Sequence, residues 1–264
     1  MQRSVFSSLE LELSGRTNLV LSVAVAQGVD LASEALTVTL DGGPVEWREV
    51  VDRHGTRLHL FDSGAGTMRI DYAAEVTGRH NPVPTSDLDL IGYLRPSRYC
   101  ESDSLTPTAR SEFAGLTGKA LLDAVSSWVG DRLSYVPGSS QVTDGATQTL
   151  LLRQGVCRDY AHLVIALLRA MDVPARLVSV YAPGLEPMDF HAVVEAHVEG
   201  DWHVVDATAL APRQSLVRIA TGRDAADTAF LTNHGSDLIL RRMEVGAVVD
   251  DLPRDDVREL VQLR

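Results

Sequence analysis

The stretch GVCRDYAHLVIALLRAMDVPARLVSVY (155–181), followed after a short gap by FHAVVEAHVEGDWHVVDAT (190–208), changes period once. Up to Ala170 the apolar residues Ala161, Val164, Ile165 and Leu168 recur at helical spacing, which predicts a helix from about Cys157 to Ala170, ended before Pro174. Beyond it, ARLVSVYAP (175–183), HAVVEAHV (191–198) and WHVVDAT (202–208) read as strands, with EGD (199–201) turning the chain between the last two. Helices followed by an antiparallel sheet make an α+β domain.

The same pattern extends upstream and downstream. GKALLDAVSSWVGDRL (118–133) carries a broad apolar stripe through Leu121, Leu122, Val125, Trp128, Val129 and Leu133, and Pro137-Gly138 stops it. A shorter helix is expected over 145–153, and LILRRMEVGAVV (238–249) reads as a late long strand. Residues 1 to about 80 look all-β: LVLSVAVAQ (19–27), ALTVTLDGG (35–43) and TMRIDYAAEV (67–76) are short strand-like runs separated by Gly and Asp turns, which suggests a small β-sandwich. Prolines 82, 84, 96 and 107 mark irregular chain between the two halves. The expected division is a β-rich N-terminal domain over 1–95, a linker or cover over 96–116, and a catalytic domain over 117–264.

The chain has 264 residues, 45% of them apolar, and a formal net charge of -12. A substantial core is affordable at that size, and no Lys/Arg run offers a phosphate-binding face, so nucleic acid is not an expected partner. Lys119 is the only lysine. The N-terminus lacks the apolar core of a signal peptide, and no run approaches the roughly 18 apolar residues of a membrane span. Cytoplasmic location is expected. Two cysteines, Cys100 and Cys157, make no disulfide framework.

Cys157 opens its helix, where free backbone amides and the helix dipole favour an anion; the anionic thiolate is the nucleophilic form of cysteine. Its amide can also face the oxyanion of an acyl intermediate. His191 starts one strand of a hairpin and Asp206 lies near the end of the other, positions that are neighbours in an antiparallel pair. An imidazole beside a thiol can take and return its proton, and a carboxylate on the second ring nitrogen fixes the tautomer. Each residue alone has a plainer reading: Cys157 as a small buried apolar group, His191 as a packed side chain, Asp206 as a strand-end turn residue.

Taken in order, these residues resemble the bacterial transglutaminase-like superfamily, including its transglutaminase-like cysteine proteases. The likeness rests on a cysteine after a Gly-x step, DVPAR (172–176), HAVVE (191–195) and DAT (206–208), and is strongest over about 145–210. It implies a papain-like α+β core, Cys157 as nucleophile, His191 as base and acid, Asp206 as its orienter, a protein or peptide substrate, and no metal or organic cofactor. The family includes hydrolases and amine-transferring enzymes, so the fold does not select the reaction. Papain-like proteases carry a glutamine six residues before the cysteine as a second oxyanion donor; here that position is Leu151. Gln154, Tyr135 and Tyr99 are the replacement candidates. The segment GRDAADTAF (222–230) resembles a stretch found downstream in some bacterial members.

Other groups have structural readings. Asp159 suits the first turn of a helix. His162 sits about 500° round the helix from Cys157 and is expected to be packed. His191 and His197 lie about 20 Å apart along one strand at roughly 3.3 Å per residue and cannot share a metal; His197 with His203 alone makes a weak zinc site. Cys100 is expected to be buried and inert, with Arg98 and Tyr99 beside it as possible cleft residues. The favoured function is hydrolysis of a peptide or side-chain amide through a thioester. Amine transfer to protein glutamine and a non-catalytic binding module are the alternatives.

Overall fold

The computed structural model describes residues 1–81 and 84–264; Pro82 lies outside the described residues. Seven strands come first: β1 (Arg3–Leu13), β2 (Thr17–Leu21), β3 (Leu31–Leu40), β4 (Gly43–Pro44), β5 (Arg48–Val51), β6 (Arg57–Ser63) and β7 (Gly66–Val76). Helices α1 (Asp87–Gly92), α2 (Ser102–Glu112) and α3 (Gly118–Arg132) follow, then the short strand β8 (Ser134–Tyr135), α4 (Ala146–Leu152), the short strand β9 (Gln154–Gly155) and α5 (Cys157–Ala170). The chain continues through β10 (Ala175–Tyr181), β11 (Phe190–Val198), β12 (Asp201–Val205), β13 (Val217–Gly222), α6 (Ala225–Thr228), β14 (Leu231–Gly235) and β15 (Leu238–Val249). No helix among the described residues is long and apolar enough to cross a membrane.

Alternation dictates the first unit. Along β1 the side chains of Val5, Leu9, Leu11 and Leu13 are buried while their neighbours face out, the period-2 signature of a half-buried strand. Two sheets, ordered β15-β1-β7-β3-β4 and β14-β2-β6-β5, share one apolar core that includes Leu9, Leu19, Leu21, Phe61, Met68 and Ile70.

The expected boundary at 117 is corrected here. β15 runs antiparallel to β1, from Arg3 opposite Val249 to Leu13 opposite Leu238. β14 pairs with β2, Leu231 opposite Leu21. Residues 231–249 therefore complete the N-terminal sheets instead of extending the second domain. The expected linker over 96–116 holds α2, which sends Leu105 and Ala109 into the core around α5.

The second core is built on α5. Every residue from Asp159 to Ala170 is buried, so the helix is enclosed and not merely striped: α2, α3 and α4 pack round it, and the sheet β12-β11-β10-β13 presents Leu177, Val194 and Ala196 to it. Arg169 is tolerated inside because its guanidinium donates to the carbonyls of Ala175, Arg95 and Arg223 and to the Ser97 hydroxyl. The two cores meet on the sheet: Tyr181, Val217 and Ile219 pack with the N-terminal strands. Tyr181 donates its hydroxyl hydrogen to the Val23 carbonyl at 2.9 Å.

Candidate active site

Cys157 takes the first position of α5, after Val156 in extended conformation. The turn into the helix is fastened by Asp159, which is buried. One carboxylate oxygen accepts from the Val156 amide at 2.7 Å, the other from the Ser140 hydroxyl at 2.8 Å. Gly155 is required by this fold-back: a Cβ there would lie 2.6 Å from the Asp159 Cβ. The Asp159 carboxylate thus satisfies an amide at the helix start and leaves the Cys157 side chain facing the cleft.

The short parallel pair β8–β9 sets Tyr135 beside the nucleophile candidate. Ser134 donates its amide to the Arg153 carbonyl at 2.9 Å, and Val136 to the Gly155 carbonyl at 3.0 Å. Burial, then the nearby Cys157 sulfur, pushes the Tyr135 phenol up to about 12.

His191 and Asp206 come together because β11 and β12 pair with Val194 opposite Val205, which brings the start of β11 near the residue following β12. Nε2 of His191 and Oδ2 of Asp206 are 2.8 Å apart, and both side chains are buried. The other carboxylate oxygen accepts from the Thr208 amide at 2.9 Å and its hydroxyl at 2.7 Å. That is the physical content of the D-x-T pattern: Thr208 holds the carboxylate that holds the histidine. Nδ1 of His191 is buried without a hydrogen-bond partner among the described residues, and the Cys157 thiol is near enough to help hold the ring charged.

The charges follow. Burial alone would pull the His191 imidazole down, but the Asp206 charge and hydrogen bond outweigh it, Cys157 adds to them, and the value rises to about 10. Burial opposes ionisation of Asp206 too, yet His191 and the Thr208 donors hold its carboxyl below the usual range. Asp189, two residues before His191, is raised by its own burial.

A cleft of about 530 Å³ opens beside Cys157 and His191, and Tyr99, Asp189, Phe190 and Phe230 are among its lining residues. The larger groove of about 750 Å³ beside Trp47 and His234 lies on the N-terminal sheets, away from the thiol. Of the three replacement donors, Tyr135 is paired opposite Gly155, two residues before Cys157. Tyr99 lines the cleft but stacks its ring on His162, centroids 5.3 Å apart. Gln154 sits in the β8–β9 pair and is not among the cleft-lining residues. Leu151 is 73% exposed. His162 is packed as expected, drawn down to about 3 by burial, and its Nε2 accepts from the Ala225 amide at 3.2 Å. Cys100 is enclosed, burial pushes its thiol up, and it is not among the cleft-lining residues.

The cleft wall was not readable from the sequence. Ala225, Ala226, Ala229 and Phe230 line it, from the GRDAADTAF segment. Asp224 fixes that wall: one carboxylate oxygen caps α6 by accepting from the Ala226 amide, and the other accepts from the Tyr99 amide, both at 2.9 Å. An N-cap aspartate before a short helix was a visible signal; its reach to Tyr99, 125 residues away, was not.

Comparison with known proteins bears on the family and the fold. The family model of the transglutaminase-like superfamily matches residues 111–207. A solved structure from Cytophaga hutchinsonii, described as that of a candidate cysteine protease, is 34% identical, superposes with a TM-score of 0.88, and the match covers 96% of this chain and 92% of that one. An uncharacterised protein of Mycobacterium leprae is 30% identical over 119 residues, 41% of this chain and 42% of its own length. An uncharacterised protein of Mycobacterium tuberculosis is 46% identical over 48 residues, 18% of this chain and 15% of that one. The chain therefore spans less than half the length of the curated relatives it matches.

Proposed function

Because the chain belongs to the transglutaminase-like superfamily, we propose that it hydrolyses an amide bond of a protein or peptide, with Cys157 as nucleophile, His191 as proton carrier and Asp206 as the carboxylate that orients it. The sulfur attacks the amide carbonyl, forming a C–S bond and a tetrahedral oxyanion. The Cys157 amide at the start of α5 and the Tyr135 hydroxyl near it are the donors for that oxyanion. Collapse breaks the C–N bond, and the amine leaves with the proton of the His191 imidazolium. Water then attacks the thioester while His191 takes its proton; the acid departs, and the sulfur and imidazolium are restored.

The observation that carries this reading is the buried 2.8 Å contact of His191 with Asp206, with the other ring nitrogen unpartnered among the described residues and the Cys157 thiol nearby. It supports an imidazole held in one tautomer and kept charged, the form that can give a proton to a leaving amine. Hydrolysis is favoured over amine transfer because the cleft opens to solvent and transfer requires water to be excluded. Cytoplasmic location is part of the same proposal, supported by two unpaired cysteines.

A glutamine-containing peptide offered with excess primary amine, its products identified by mass, tests the reading. Deamidated or cleaved peptide that vanishes in Cys157→Ala is expected. Amine adduct as the sole product would instead assign a transferase, and identical traces from wild type and variant would leave a binding module.

A further inference from the structure

We propose that the cleft beside Cys157 is a subsite for a tyrosine side chain on the acyl donor, an inference that rests on the amide-cleaving reading above. The walls are apolar. Phe190 and Phe230 stack with centroids 5.3 Å apart, and Leu177 and Ile219, each only 1% exposed, lie beneath. Ala225 and Ala229 add small side chains to the lining. The volume of about 530 Å³ falls within the roughly 300–1,000 Å³ typical of ligand sites.

Two groups break the apolar lining. Ser22 and Ser179 both face this cleft, and neither hydroxyl has a hydrogen-bond partner among the described residues. Ser22 is 98% buried, its exposure being 2%. Buried hydroxyls are paired in the great majority of cases, so two orphans on one cavity point to a polar group that the ligand brings. They come from separate parts of the fold. Ser179 lies on β10 between Ala192 and Ala220. Ser22 follows β2 and is tied to the wall by its amide, which donates to the Phe230 carbonyl at 2.8 Å. The N-terminal sheets thereby contribute directly to the site.

The matching side chain has an aromatic body and a hydrogen-bonding tip. Phenylalanine would fill the walls and leave both hydroxyls unpaired; glutamine would pair them and leave the aromatic walls uncovered. The charged cleft residues are Arg158, Asp189 and the His191 imidazolium, so both signs face the cleft and an ionic side chain of either sign would meet a like charge.

Aminoacyl fluoromethyl ketones carrying Tyr, Phe, Gln or Arg side chains test the subsite, because the sulfur displaces fluoride, the C–S bond forms as C–F breaks, and the rate is read by intact mass. The tyrosyl probe is expected to label Cys157 about tenfold faster than the phenylalanyl probe, with Gln and Arg slower still. Ser22→Ala and Ser179→Ala should each drive the Tyr-to-Phe ratio toward one, and Phe230→Ala should slow both aromatic probes. Equal Tyr and Phe rates in the wild type, or a faster Gln or Arg probe, would overturn the subsite while leaving the nucleophile intact. Failure of every probe to label Cys157 would overturn the nucleophile assignment and the subsite with it.

Discussion

His191 holds a proton that its surroundings would ordinarily remove. Burial pulls the imidazole down, but the Asp206 carboxylate at 2.8 Å, supported by Thr208, raises it from 6.5 to about 10. The sign is set by that direction. A raised histidine contributes stability that is full below about pH 6.5 and is lost as pH rises toward 10, and the same loss removes the proton donor for the leaving amine. Amide hydrolysis should therefore fall on the alkaline side as pH approaches 10. Asp206→Asn should move that fall toward neutrality and lower kcat by roughly 10⁴. A pH–rate profile of both proteins checks this, and an alkaline limb in the same place in both would contradict it. Cys157, His191 and Asp206 were legible in the sequence because a helix start and a tight hairpin are local patterns. Tyr135 was one of three candidates, and its pairing opposite Gly155 in β8–β9 is a contact that no local window contains. Asp189 and Ser22 carried no local signal, since what makes them cleft residues is contact with distant chain.

The β11 strand shows why the motif residues around His191 recur together. Glu195 lies four residues on, fully enclosed, directly opposite Arg176 in the β10–β11 register. Arg176 reaches it at 2.7 Å, and Arg218 from β13 reaches its other oxygen at 2.7 Å. One carboxylate thus ties three strands, linking the arginine of DVPAR to the glutamate of HAVVE. The sequence showed those two motifs only as a family likeness; their pairing is a cross-strand fact that no local window contains. Burial opposes ionisation of Glu195, yet the two guanidinium groups hold it down at about 2. Its contribution to stability is present above about pH 4.5 and is lost as pH falls through 2. Glu195→Gln would leave two buried cations without their counter-charge, and a loss of about 3–5 kcal/mol is expected in urea unfolding. A loss under about 1 kcal/mol would contradict the proposed role of this ion cluster. The α5 helix carries a related lesson: its stripe predicted one buried face, and enclosure by three helices and a sheet buried the rest.

At the scale of the whole molecule, the N-terminal strands and the α5 core are joined by chain that leaves and returns. β15 was readable as an extended segment and β14 was not, and their partners β1 and β2 lie more than 200 residues earlier, so the 117–264 boundary followed sequence order and missed the pairing. That return places Leu231, Thr232 and Met243, with Ser22, on the cleft that also holds Cys157 and His191. The Cys157 thiol is therefore framed by both halves, while Cys100 is sealed within the α5 core. This asymmetry allows a direct test of whether Cys157 is a nucleophile activated by His191. Limiting iodoacetamide at pH 6, with each cysteine followed by peptide mass, should modify Cys157 at least about tenfold faster than free cysteine. Cys100 should stay unmodified, and His191→Ala should erase the advantage of Cys157. A Cys157 that reacts no faster than free cysteine, or equally fast without His191, would contradict it.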